Sequence, residues 1–238
     1  MFVMRFYENG NLYQYLDDAM GYLCWRDIVD MLWGIANGLE RIHDHGLYHG
    51  NLHGGNLLVE NEPESIDTRI ADVGLHGPSS REINSINYGV LPFIAPEILK
   101  GDEYTQASDI YSFGIIMWTL STCIRPFCQV PHDSELALKI CNGYRPEIVD
   151  GTPEVYSTLM KKCWDNDPNK RPKASELSDI LGSWVTDICD NPDPTQISEQ
   201  FDAAEEKKFL DLENKQFTKP DVHPLAIYNS KLIHFSVN

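Results

Sequence analysis

Basic residues are scarce in this sequence: 19 Lys and Arg face 36 Asp and Glu across 238 residues, for a formal net charge of −17. No Lys/Arg-rich run offsets that excess. Nucleic acid and anionic membrane surfaces, whose phosphates would be repelled, are therefore excluded as main partners. Long apolar runs are missing as well. The most apolar stretch, Ile110–Ile124, is interrupted by Ser112, Gly114, Ser121 and Thr122, and it falls short of the roughly 20 apolar residues that span a bilayer. It reads as a buried core helix. No basic start followed by an apolar stretch and a small-residue cleavage site opens the chain, which argues against secretion. The six cysteines (Cys24, Cys123, Cys128, Cys141, Cys163 and Cys189) form no CxxC pair and no regular spacing. They read as reduced, mostly core-filling thiols of an intracellular, cytoplasmic protein. There is no internal repeat.

What is present is the composition of an ordinary globular protein, 42% hydrophobic and 23% charged, with length enough for a sizeable core. Met1-Phe2-Val3-Met4 is an apolar, strand-like start with no turn before it, as if a segment preceded it. Asn11 is placed to cap a short helix through Leu12, Tyr15 and Leu16. Ile28, Met31, Leu32, Ile35, Leu39 and Ile42 then fall at helical spacing, with Gly46 as the stop. A second long helix is predicted over Gln106–Thr122, apolar nearly all round. Shorter amphipathic helices are predicted at Ser134–Cys141, Pro153–Trp164 and Ala174–Val185.

Between the two long helices lie two strand candidates, Leu57-Leu58-Val59 and Thr68-Arg69-Ile70-Ala71, with a polar turn at Asn61-Glu62-Pro63. Loops rich in Gly and His surround them, and such loops are where function concentrates. Beyond about Asp187 the chain turns acidic, Pro-bearing and poor in large apolar residues. Thr195–Gln216 is a marginal surface helix at best, and Asp187–Asn238 reads as an acidic, partly disordered tail. The predicted layout is a domain over 1–186 and a tail over 187–238.

The chemistry concentrates in His49-Gly50-Asn51-Leu52-His53-Gly54-Gly55-Asn56, a polar loop that leads into a strand; Asp72-Val73-Gly74 leaves the next strand. An Asn and an Asp at the mouths of neighbouring strands can share a hard cation through oxygen ligands, with Mg²⁺ and phosphate the natural pair. Asn in a Gly-rich loop also serves as plain turn chemistry. His43, His45, His49, His53 and His76 invite a zinc reading. The glycines around His49 and His53 break any shared helical face, so these read as loop scaffolding and surface.

The loop resembles the catalytic loop of eukaryotic protein kinases, H-R-D-L-x-x-x-N, and Asp72-Val73-Gly74 resembles the D-F-G motif. Ala95-Pro96-Glu97 matches A-P-E. Ser108-Asp109-Ile110-Tyr111-Ser112-Phe113-Gly114 resembles the buried helix whose Asp braces the catalytic loop, and Trp164-Asp165 with Arg171-Pro172 the late motif whose Arg pairs with the A-P-E glutamate, here Glu97. The wording of Leu52–Asn56 and of Gly89-Val90-Leu91-Pro92-Phe93 is closest to the tyrosine-kinase-like group. The resemblance covers roughly Met1–Val185. It implies a mainly α fold, the large C-terminal lobe of a kinase, built as a helical bundle with short β-hairpins. Within that lobe it implies ATP and Mg²⁺ as cofactors: Asn56 and Asp72 at the metal, Leu58 against the base, Met4 as gatekeeper and Arg5-Phe6-Tyr7 as the adenine-binding hinge. His49, Asp109, Glu97 and Arg171 take structural parts.

Departures from the pattern shape the functional expectation. Asn51 stands where the pattern has the catalytic Asp that accepts the substrate hydroxyl proton. No G-x-G-x-x-G and no V-A-x-K occurs, so the small N-terminal lobe is expected to be absent and nucleotide binding weak. Gly50 replaces the Arg that reads a phosphorylated activation loop, so control through Ser79, Ser80, Ser85 or Tyr88 should be weaker or different. Val73 replaces a packing Phe, and His53, where serine/threonine kinases often carry Lys, says little by itself. The leading expectation is a catalytically impaired, pseudokinase-like signalling protein that acts by binding other proteins. One alternative is a piece of an ATP-dependent Ser/Thr or Tyr protein kinase. Another is a carrier for an interaction tail.

Overall fold

The computed structural model describes residues 5–19, 22–62, 65–72, 87–214 and 219–233. Along them run α1 (Leu12–Asp18), α2 (Trp25–Asp44), β1 (Leu57–Glu62), β2 (Ser65–Ile70), β3 (Asn87–Gly89), α3 (Pro96–Leu99) and α4 (Gln106–Thr122). Then follow α5 (Ser134–Cys141), α6 (Glu154–Cys163), α7 (Ala174–Val185), α8 (Gln196–Glu213) and β4 (Lys231–Ile233). Helices supply most of the regular structure; the strands are short. The strand-like start at Met1–Met4 lies outside the described residues.

Local chemistry sets the helix starts. Asn11 accepts from the Gln14 amide while the Gln14 side chain accepts from the Asn11 amide, closing a reciprocal cap on α1. At α4 the Ser108 hydroxyl does the capping, accepting the Thr105 amide at 3.1 Å and donating to the Thr105 carbonyl at 2.6 Å. α2 buries Ile28, Met31, Leu32, Ile35 and Leu39 completely, and the chain leaves it through Gly46, whose φ of +70° suits glycine. α7 lies along α2, joined at the edge by Ser178 Oγ donating to Asn37 Oδ1 at 2.7 Å.

α4 is the central helix, with Ile110, Tyr111, Phe113, Ile115, Ile116 and Met117 all fully buried or within 1% of it. Two of its interior hydroxyls donate to carbonyls, Ser112 to Phe93 at 2.7 Å and Thr119 to Ile115 at 2.8 Å, while the buried Tyr111 hydroxyl has no hydrogen-bond partner among the described residues. Gly114 permits the approach of α6. A Cβ there would stand 2.9 Å from Cys163 Cβ and 3.1 Å from the Trp164 nitrogen.

β1 and β2 form an antiparallel hairpin with Leu57 opposite Ile70 and Glu62 opposite Ser65. The backbone of Asn61 and Glu62, expected in a turn, continues β1, because the ladder holds its register to its last pair. A second antiparallel pair joins β3 to β4, with Gly89 opposite Lys231 and Asn87 opposite Ile233.

Of the sequence-assigned tail, residues 187–214 and 219–233 are described, and both stretches pack on the lobe. α8 is more than a marginal surface helix. Phe201 and Ala204 turn into the lobe while Phe209 and Leu210 stay exposed; Phe201 is 2% exposed and meets Trp25 at 5.8 Å and Trp184 at 5.6 Å. Polar ties complete the seat: Glu205 accepts from the Trp25 amide at 2.7 Å and from the Tyr22 hydroxyl, and Lys208 donates to the Leu23 carbonyl at 2.7 Å. All six cysteines are free thiols. Among the described residues no helix is long and apolar enough to cross a membrane.

Candidate active site

One buried carboxylate organises the loop 49–56. Asp109, 1% exposed near the start of α4, accepts the His49 amide at 2.7 Å on Oδ2 and the Gly50 amide at 2.8 Å on Oδ1. His43 Nε2, from the last turn of α2, lies 3.0 Å from Oδ2. Two backbone donors and an imidazole thus meet the charge, the arrangement that makes a buried carboxylate tolerable. Gly50 holds a φ of +72°, where an L side chain costs about 1–2 kcal/mol.

The same loop fixes its own histidines. His49 Nδ1 accepts the Asn51 amide at 3.2 Å, which assigns its proton to Nε2, 2.9 Å from the Ala71 carbonyl. Asn56 Nδ2 donates to the Asn51 carbonyl at 2.9 Å, so Asn51 is held from both sides along the backbone.

Asn56 and Asp72 arrive at one end of the hairpin because the Asn56 carbonyl accepts the Ala71 amide at 2.8 Å, one step beyond the last β1–β2 pair. Asp72 is exposed and takes a φ of +63°, the left-handed region that Asp enters more readily than most residues. With the Asn56 nitrogen committed, its Oδ1 and the Asp72 carboxylate are the oxygen donors this end of the hairpin offers, the ligand type that Mg²⁺ takes. Among the described residues no group of three or more His, Cys, Asp or Glu is placed to hold a metal. A cation there would take its other ligands from phosphate oxygens and water.

Of the residues expected at the nucleotide, Leu58 is half-buried on the face of β1 opposite Leu57 and Val59, which are fully buried. Arg5 pairs with Glu60 at 2.5 Å and its guanidinium lies 5.8 Å from the Tyr7 ring. Met4, Val73, Gly74, His76, Ser79, Ser80 and Ser85 lie outside the described residues. Tyr88 is on β3 and 43% exposed.

Away from the loop, Arg171 grips Glu97 with both terminal nitrogens, at 2.7 and 2.8 Å. The guanidinium also donates to the Ala107 and Asp165 carbonyls at 2.9 and 2.8 Å. With the Arg171 side chain fully buried, this is a desolvated, bidentate pair, unlike a surface contact of little worth. The two motifs expected to meet do so.

The structure adds residues that the sequence reading passed over. Ser230, just before β4, places its Oγ 3.1 Å from Asn51 Nδ2, 3.2 Å from Asn51 Oδ1 and 2.8 Å from His53 Nε2. His53 Nδ1 accepts the Gly55 amide at 3.1 Å, so the neutral ring carries its proton on Nε2 and donates to Ser230. Burial and the neighbouring His49 lower the His53 pKa to about 4. A contact across 177 residues leaves no trace in local spacing. The available signal was compositional: Leu225-Ala226-Ile227-Tyr228 and Leu232-Ile233 are apolar clusters in an otherwise polar tail.

Residues 1–181 match the family model for protein tyrosine and serine/threonine kinases. The chain is 30% identical over 185 residues to a probable serine/threonine-protein kinase of Dictyostelium discoideum, a match covering 75% of this chain and 14% of that protein. It is 31% identical over 183 residues to a serine/threonine/tyrosine-protein kinase of Arabidopsis thaliana, covering 75% of this chain and 46% of that one. The chain therefore spans less than half the length of these relatives. The loop brace on Asp109 and the Arg171–Glu97 pair give the matched sequence a physical counterpart, and the chain belongs to the protein tyrosine and serine/threonine kinase family.

Proposed function

We propose that this chain is a kinase lobe, nearest the tyrosine-kinase-like group, whose phosphotransfer is impaired and whose signalling role is to bind other proteins. One observation carries the reading: the side chain at the catalytic-base position is the amide of Asn51. His49 Nδ1 accepts the Asn51 amide and Asn56 Nδ2 donates to the Asn51 carbonyl, so the backbone at that position is held on both sides while its side chain is no base. An amide oxygen accepts a hydrogen bond but cannot take the proton of an attacking hydroxyl. General-base assistance is worth about 10²–10⁴ in rate, or roughly 3–5 kcal/mol of barrier.

Asn56 Oδ1 and Asp72 are the residues that would hold Mg²⁺, and the cation when bound would neutralise phosphate charge. Leu58 would cover the base, and Arg5 and Tyr7 would border it. With so few groups assigned, affinity for ATP is expected to be weak. The six free thiols and the acidic surface favour a reducing, cytoplasmic setting.

A second reading, part of an active ATP-dependent Ser/Thr or Tyr kinase, draws support from the retained Asn56–Asp72 pair and from the relatives' names. Phosphotransfer from labelled ATP to a generic protein acceptor separates the two. The natural chain should be slower than Asn51→Asp by about 10²–10⁴; equal, readily measured rates would overturn the impairment.

A further inference from the structure

The tail does more than pack. From Lys219, paired with Asp17 at 2.5 Å, it runs back across the lobe. The His223 amide donates to the Cys128 carbonyl at 2.7 Å, and the His132 amide to the Leu225 carbonyl at 3.0 Å. Tyr228 then enters a pocket and is 7% exposed. There it meets His132 edge-on at 5.0 Å and Tyr13 at 5.9 Å, Arg125 stands 5.6 Å from its ring, and its hydroxyl donates to the Pro126 carbonyl at 2.8 Å. Asn229 points to solvent and Ser230 back to the lobe, the two-residue alternation of an extended segment. Lys231–Ile233 finally add a strand to the edge of β3.

An extended peptide docks on a single strand in this way: backbone pairing fixes its direction, and alternate side chains are buried against the protein. We propose that residues 222–233 are a built-in occupant of the lobe's acceptor-peptide groove, with Tyr228 as the anchor and the Ser230 hydroxyl in the place of the acceptor hydroxyl. The proposal rests on the assignment of Asn51 to the catalytic-base position. The chemistry of Asn51 fits the docked serine. A carboxylate can only accept a hydrogen bond, whereas the amide offers a donor and an acceptor to one hydroxyl, and His53 Nε2–H supplies a further donor. The groove therefore selects an extended segment with Tyr two residues before Ser. A tethered segment competes at an effective concentration that reaches roughly millimolar for short flexible links, so a separate peptide binds only once the tail is displaced.

The test uses the full chain. Hydrogen–deuterium exchange of the natural chain should show Asn87–Gly89 and Lys231–Ile233 protected. In Tyr228→Ala both segments should exchange at least about tenfold faster while α2 and α4 stay unchanged. A fluorescent peptide of residues 222–233 should bind Tyr228→Ala at least about tenfold more tightly than it binds the natural chain. Equal exchange in the two chains, or equal peptide affinity, would overturn the proposal. If Tyr228→Ala loosens α2 and α4 too, Ser230→Leu, which sets a bulky apolar side chain against Asn51 and His53 and removes their hydrogen-bond partner, is decisive. The same local rise supports docking, and no rise contradicts it. Neither readout involves phosphotransfer. A fast natural enzyme would sink the proposed function and leave these results standing, whereas a slow one with an unprotected tail would sink only the docking.

Discussion

The scaffold of this lobe and its reaction centre follow the family pattern to different degrees. Asp109, Glu97 and Arg171 are the expected residues, and each is buried or nearly so, with its hydrogen bonds met. Asn51 lies two residues from the first amide that Asp109 holds, yet its side chain belongs to another chemistry and faces a serine of the chain's own tail. Burial explains why the first set cannot change freely, since losing one partner strands a charge without water. The second set carries no such penalty. A neutral amide fits where a carboxylate would stand, and the fold does not depend on the proton it would have taken.

If that contrast is right, breaking the scaffold should cost far more than altering the centre. Arg171→Ala leaves Glu97 without its bidentate partner, and urea unfolding should report a loss of about 3–5 kcal/mol. A loss below about 1 kcal/mol would place the pair among ordinary surface contacts.

Acid should weaken the molecule next. His53 is held neutral with its pKa lowered to about 4, while an unfolded histidine titrates near 6.5. Its contribution is whole above pH 6.5 and is lost as pH falls towards 4, where only the unfolded chain has gained the proton. The loss across that window is on the order of 3 kcal/mol, and unfolding curves of His53→Gln should lack that part of the slope.

Asn51→Ala should have the smallest effect, about 1 kcal/mol or less, because it removes only neutral hydrogen bonds to Ser230. A cost matching Arg171→Ala would erase the distinction between scaffold and centre.

How much could be read beforehand follows the same division. α4, α5 and α7 begin and end where their sequences predict, because caps and apolar periodicity are local. The meeting of Asp109 with the loop amides, and of Arg171 with Glu97, followed from family resemblance, since nothing in the spacing brings them together. How the described part of the tail packs was not legible for a physical reason. Phe201 and Ser230 are isolated residues in polar surroundings and Tyr228 ends a short apolar cluster, and each is stabilised by partners far away in sequence, Trp25, Tyr13 and Asn51 among them. His53 looked uninformative because its role lies in one hydrogen bond to a residue 177 positions on.

The most direct measurement is phosphotransfer from labelled ATP by the Tyr228→Ala chain, in which the groove is opened but Asn51 is kept. With the obstruction removed and no base restored, transfer should remain at least about 10²-fold below the roughly 1–100 s⁻¹ at which protein kinases turn over. Turnover within that range would show that the tail alone restrains the lobe and that Asn51 does not disable it.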